Sequence, residues 1–369
     1  MKIGFYLGHL VPPSAGGAYT FVESILNALQ HINTHHEFYF FYKSPKDIYP
    51  NNNFINIANP KGQTLEKIPY EYGIELIYYL TPQFIPTTLP YIATVWDLAH
   101  RILPVFPEFT QSGWTYEARE KHYTQVLSKA SMIVTGNMAG ASQIEKYYNI
   151  NPSLIKTIPM PTPDYVYKLT PNNSILEENN LSTFEYYFYP AQFWPHKNHI
   201  RILQAIKNTS DKVVFTGSDK GNISYIKSKV AEYGLENQVL FLGFVEKEEL
   251  ISLYKNAKGL IYASYLGPDN IPPLEAMALD CPVICADYDG AKEQLGDAAL
   301  FFNPQKTEEL LFQMNLLQNN ELKNSLIKKG RIVAQNCNCN NYAAQMLNLI
   351  DTLVPMLECL DISCPYIHL

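Results

Sequence analysis

Short apolar runs alternate along the chain with segments whose apolar residues recur every three or four positions. That rhythm belongs to βα units stacked on parallel sheets. In the first half it predicts strands at 3–7, 37–41, 54–57, 76–79, 91–96 and 132–135. Phe21, Ile25, Leu26 and Leu29 share one helical face, so a helix is expected over 18–30. Another over 121–130 leads into the strand at 132. Pro159, Pro161 and Pro163 then fall within five positions, which continues neither element and stiffens a connection. A hinge between domains is expected there. The alternation restarts beyond it, with strands at 186–189, 212–216, 239–242, 260–263, 283–285 and 299–302. Helices fit at 199–208, 222–233, 247–256 and 272–279, and helical segments at 307–319, 321–336 and 342–357 close the chain.

The expected fold is therefore α/β, with two doubly wound Rossmann-like domains facing across a cleft and a helical C-terminal tail. The boundaries read as 1–163, 164–341 and a tail at 342–369. A length of 369 residues suits two cores better than one. In such a pair the chemistry is expected at the carboxyl ends of the strands.

Composition narrows the function classes. A formal charge of -7 and the lack of any Lys/Arg run argue against a nucleic-acid partner. Tyrosine, at 27 residues, is frequent, and the sequence alone attaches no function to it. The six cysteines show no metal-ligand rhythm and read as free thiols of a reducing compartment. No stretch approaches the ~20 apolar residues of a membrane span, and the N-terminus has too short an apolar run for a signal peptide. The expectation is a cytoplasmic protein, with peripheral association at the inner face of a membrane left open.

Three segments carry candidate chemistry. The turn Pro12-Pro13-Ser14-Ala15-Gly16-Gly17 opens the first helix, where paired glycines let backbone N–H groups approach a diphosphate. It lacks the GxGxxG fingerprint of nicotinamide enzymes. The segment Gln192-Phe193-Trp194-Pro195-His196-Lys197-Asn198 follows the first strand of the second half, and its lysine can hold a phosphate as a point charge. The segment Gly267-Pro268-Asp269-Asn270-Ile271-Pro272-Pro273-Leu274-Glu275 runs into a helix whose amides face a phosphate and whose Glu275 can accept from ribose hydroxyls. Each also has a plainer reading: an ordinary βα turn, a solvated lysine, a carboxylate serving the helix dipole.

With the stretch 239–245 (Val-Leu-Phe-Leu-Gly-Phe-Val), Glu249-Leu250, Tyr254, Gly290 and Glu293-Gln294-Leu295, these segments resemble the retaining glycosyltransferase family four, also called the group 1 glycosyltransferases. The resemblance covers nearly the whole chain and is strongest over 189–304. It implies a GT-B fold, a nucleotide-diphosphate sugar as substrate, no cofactor, no metal, and retention of anomeric configuration. The donor would sit on the second domain, and a glycan or lipid-linked acceptor on the first. Carried over by residue, it makes Gly16 and Gly17 amide donors to the diphosphate and Lys197 the phosphate-binding lysine. Phe244 and Val245 would grip the base. Asn270, Ile271, Pro273 and Leu274 would line the donor, and Glu275 would bind the ribose. Within Val95-Trp96-Asp97-Leu98-Ala99-His100-Arg101, His100 and Asp97 are the candidates near the transferred sugar.

Two positions depart from the family pattern. Gln192 stands where an Arg is common, and Gly267 where a Glu is common. A subset of the family reads GPxNIPPLEA here, so the change marks a subfamily form, with Asp269 or Asn270 the replacement contact. The departures also keep open a catalytically silent nucleotide-sugar-binding subunit, beside a GT-B epimerase or hydrolase.

Overall fold

The computed structural model describes residues 1–9, 16–44, 52–58, 67–111, 113–267 and 269–360. Part of the first glycine turn, residues 12 to 15, lies outside them, as do Pro268 and Cys364.

Among the described residues, two parallel sheets carry the chain. The first has seven strands in the order Phe54–Asn56, Glu37–Lys43, Lys2–His9, Leu76–Tyr79, Tyr91–Thr94, Met132–Thr135, Ile155–Thr157. The second has six, in the order Val239–Gly243, Lys212–Thr216, Tyr186–Pro190, Gly259–Tyr262, Val283–Ala286, Ala299–Phe302. Both start at a central strand, wind outward to one edge, then return and wind to the other, the doubly wound order. Every strand expected from the sequence is present. The three-residue Ile155–Thr157 is additional, because an apolar run that short leaves no period to read. The helix expected over 121–130 spans Tyr116–Leu127 and buries only Tyr123, Val126 and Leu127. The unexpected helix Met138–Tyr148 buries only Gly140 and Ile144 but is well capped, since the Asn137 side chain accepts from the Gly140 N–H at 2.9 Å.

The chain divides into two compact units that differ from the expected three segments. The first comprises Met1–Leu98, Tyr116–Pro159 and the residues from Cys339 on; the second comprises Ala99–Thr115 and Met160–Asn338. The closing helix Cys339–Leu357 is thus part of the first core and not a separate tail. It lies on the first helix, Gly17–His31. There Tyr342 meets the Phe21 ring edge-on at 5.4 Å, and Asp351 pairs with the buried His36 imidazole at 2.9 Å. The proline segment marks a crossing between units at Pro159 and Met160. Thr162 is buried and its hydroxyl donates to the Ala334 carbonyl at 2.9 Å, which fixes the segment to the end of the helix Asn320–Asn336.

The short segment Ala99–Thr115 leaves the first half of the sequence and packs within the second unit. Ala99 and Phe109 bury themselves with Leu266, flanked by Ile102, Leu103 and Phe106. Sequence periodicity gives no sign of this, because the two turns involved, Ala99–Ile102 and Pro107–Thr110, have four residues each. No helix among the described residues is long and apolar enough to cross a membrane.

Candidate functional site

In the second sheet the winding reverses between Tyr186–Pro190 and its neighbour Gly259–Tyr262. In a doubly wound sheet the loops leaving two such strands go to opposite faces, and the crevice at their carboxyl ends is where ligands bind. The two sequence segments with Lys197 and Asn270 are those loops.

The first loop is held rigidly. After Pro190 the chain makes the short turn Pro195–Lys197 and ends it at Asn198, whose φ of 58° lies in the left-handed region. Asn198 stays there because its side-chain amide donates to the carbonyls of Ala263 at 3.2 Å and Pro304 at 3.0 Å. The Tyr189 hydroxyl donates to the Lys197 carbonyl at 2.7 Å. Next comes His199, buried and stacked on Phe193 at 4.8 Å. Burial, helped by the Lys197 charge, pushes its imidazole down to about 3, so the ring is neutral and serves as an aromatic core residue. Lys197 is what this framework presents. Its ammonium donates to the Tyr262 hydroxyl at 2.9 Å, with the nitrogen 5.3 Å from that ring's centre.

Tyr262 ends the neighbouring strand and joins the two loops, for its hydroxyl in turn donates to Asn270 Oδ1. Asn270 stands at the N-cap of the helix Ile271–Ala278, yet its side chain does not cap it. The N–H groups an N-cap side chain serves are those of the second and third helical residues. Here these are Pro272 and Pro273, which have none. The Asn270 amide is therefore released to Tyr262 and to the Gly267 carbonyl, which accepts at 2.7 Å. The Asn270 N–H donates to Gln294 Oε1 at 3.1 Å, and its carbonyl accepts from Gln294 Nε2 at 2.9 Å. The turn keeps the N–H groups of Ile271 and Leu274 at the positive end of the helix dipole. Pro273 and Leu274 themselves are buried.

One turn further on, Glu275 is 6% exposed. Its Oε1 accepts from the Tyr165 hydroxyl at 2.7 Å and its Oε2 from the Tyr254 hydroxyl at 2.8 Å. Burial raises its carboxyl above the ordinary 4.5, although the two hydroxyls and the Lys247 charge pull it partly back. Each carboxylate oxygen keeps a second lone pair for a ligand hydroxyl.

Phe244 is exposed at the end of Val239–Gly243, while Val245 packs against the core. Gln192 Oε1 accepts from the Trp194 indole at 2.9 Å, and Lys220 stands 5.6 Å from that ring's centre. Gly16 precedes the first helix at φ 57°, which suits glycine, and Gly17 begins that helix. Both belong to the first unit, as does Asp97, whose carboxylate accepts from Arg119 at 3.2 Å. His100 belongs to the second unit and has no exposed surface. Lys197, Asn270, Ile271 and Glu275 therefore lie on one sheet, whereas Asp97, Gly16 and Gly17 lie on the other. Sequence reasoning missed Tyr165, Tyr262, Tyr189 and Asn198. The tyrosines, given no role from composition, are the hydrogen-bond framework of the site.

Two doubly wound sheets with these switch-point loops define the class: an α/β architecture of the GT-B kind. The model of the family described as "Glycosyl transferases group 1" matches residues 173–333. The O-antigen chain mannosyltransferase RfbU of Salmonella typhimurium is 27% identical over 224 residues. That match spans 58% of this chain and 60% of the relative's length. Among solved structures, a sucrose-phosphate synthase from Thermosynechococcus elongatus superposes with a TM-score of 0.76 at 20% identity, covering 96% of this chain and 100% of that one. The Anabaena protein HepE in complex with UDP does so at 0.72 and 16%, again covering 96% and 100%. These structures share the fold.

Gly267 explains its own departure from the family pattern. Its φ of 136° strains any L side chain, and a Cβ there would run into the Asn270 amide. Gly267→Glu is expected to break the Asn270 contacts, costing about 1–3 kcal/mol of stability. Denaturant titration checks this, and a variant as stable as wild type contradicts it.

Because the Glu275 carboxyl is raised in the fold, its ionisation opposes folding. The penalty is absent below the unfolded value of 4.5, grows as pH rises, and is complete above the folded value. Glu275→Gln is therefore expected to melt higher than wild type at pH 7, with the gap closing below pH 4.5. A lower melting temperature at pH 7 would show that the carboxylate stabilises the fold.

Proposed function

We propose that the chain is a hexosyltransferase that moves a sugar from a nucleotide-diphosphate donor to a glycan or lipid-linked glycan acceptor, with retention of anomeric configuration. The observation that carries the reading is the junction of Lys197 with Tyr262 and Asn270 at the strand-order switch. It aims an ammonium and an N-cap freed from capping at the same crevice. The family match over 173–333 and the similarity to the Salmonella O-antigen chain mannosyltransferase support it, and so does the UDP bound by the HepE structure.

In this reading Lys197 and the N–H groups of Ile271 and Leu274 take the donor diphosphate. Glu275 accepts from ribose hydroxyls, and exposed Phe244 stacks on the base. Negative charge grows on the diphosphate as its bond to the anomeric carbon breaks, so fixed donors there favour the transition state over the ground state. The acceptor hydroxyl forms the new bond on the face the diphosphate leaves, and the departing phosphate oxygen takes its proton. No protein nucleophile is required. A carboxylate at position 267, the obvious candidate for a covalent route, is absent.

The test is a panel of labelled nucleotide sugars scored for transfer, hydrolysis and epimerisation, with Lys197→Ala in parallel. Transfer is expected, and Lys197→Ala should lower kcat/KM by about a hundredfold or more in a folded chain. Binding without turnover of any donor would favour a nucleotide-sugar-binding subunit, and Lys197→Ala within threefold of wild type would remove this lysine from the mechanism.

A further inference from the structure

Beside the donor loops lies a buried carboxylate–imidazole hydrogen bond that the proposed reaction does not use. Glu108 is the second residue of the turn Pro107–Thr110, in the segment that belongs to the second unit, and its side chain is 4% exposed. Its Oε1 accepts from the His196 backbone N–H at 3.0 Å and lies 2.7 Å from His196 Nδ1. Burial alone pushes the carboxyl up, but the His196 side chain and backbone hydrogen bonds outweigh it and hold the group below its ordinary value. The carboxylate is thus ionised at neutral pH, and Nδ1 carries the proton between them. Phe109 and Phe106 close over the imidazole at 4.7 and 6.2 Å. The His196 carbonyl then accepts from the Tyr265 N–H at 2.9 Å, which ties the first loop to the second two residues before Gly267.

A buried carboxylate, even one with hydrogen-bond partners, seldom stabilises a fold more than an apolar residue of the same volume. Here the other carboxylate oxygen, Oε2, is buried with no hydrogen-bond partner among the described residues, a further cost. Fold stability is therefore a poor reason for a carboxylate at this place. Its two bonds go to the residue immediately before Lys197, inside the three-residue turn Pro195–Lys197. We infer that Glu108 is a positioning residue for donor binding: through His196 it fixes the turn that presents Lys197 to the diphosphate. The inference rests on the donor-site reading above. It means that a piece of the first half of the sequence is built into the second unit to complete its phosphate site.

The experiment measures the Kd of UDP and GDP by calorimetry and the melting temperature for full-length wild type, Glu108→Ala, Glu108→Gln, Phe109→Ala and Lys197→Ala. Glu108→Ala should weaken the bound nucleotide at least tenfold. Glu108→Gln, which still accepts from both His196 groups, should return to within threefold. Phe109→Ala loosens the same packing without touching the bonds, and should lower the melting temperature with less than a twofold change in Kd. If Glu108→Ala does not fold, Glu108→Asp withdraws the carboxylate by one methylene and the same tenfold loss is expected of it. Equal Kd changes in Glu108→Ala and Phe109→Ala, or a Kd unchanged in the folded Glu108 variants while Lys197→Ala loses affinity, would overturn the positioning role alone. A wild type that binds neither UDP nor GDP would overturn the donor reading and the positioning role with it.

Discussion

The hydrogen-bonded chain from the Lys197 ammonium through the Tyr262 hydroxyl to the Asn270 side chain is the constraint on which the site depends. It spans the point where the second sheet reverses its winding, and so joins two loops that the topology alone would let drift apart. Everything around it protects its geometry. Asn198 holds a left-handed turn behind the lysine, Gln294 grips the Asn270 backbone from both sides, and neutral His199 fills the core beneath. The two prolines after Asn270 are as necessary as the polar groups. By removing the amides that an N-cap would serve, they release its side chain for the chain of bonds.

The same constraint accounts for the family position at which this sequence lacks a carboxylate. At 267 the backbone lies at a φ of 136° against the Asn270 amide, and the Gly267 carbonyl is one of that amide's acceptors. A glutamate would undo the link in order to add a contact. The site instead spends its buried charge at Glu275 and Glu108, each solvated by protein donors: two tyrosine hydroxyls at the first, a histidine and its backbone at the second. At Glu275 the raised carboxyl costs fold stability at neutral pH, and such a group is retained where a ligand or a fixed geometry needs it.

Much of this was legible in the sequence. The alternation of apolar runs located the strands because buried parallel strands are short and uniformly apolar, as in Tyr186–Pro190 and Val283–Ala286. The motifs placed Lys197, Asn270 and Glu275 on one sheet's carboxyl edge. Three things were not legible, each because it depends on distant partners. The closing helix reads as a tail until Tyr342 and Asp351 meet Phe21 and His36. The segment Ala99–Thr115 has turns too short to carry a period, so its docking beside His196 and Leu266 is a tertiary fact. The tyrosines looked like compositional bias, since a tyrosine that ends as a buried donor to a carboxylate has no local signature.

The account stands most directly on Tyr262, whose hydroxyl is the link between the loops. Calorimetric titration of UDP and GDP into wild type and Tyr262→Phe isolates that one oxygen while keeping the ring that packs against Tyr189 at 5.6 Å. With Lys197 and Asn270 both deprived of their shared partner, affinity for the bound nucleotide is expected to fall about tenfold, the worth of one hydrogen bond to a charged group. An affinity equal to that of wild type would contradict the claim that this chain of bonds builds the diphosphate site.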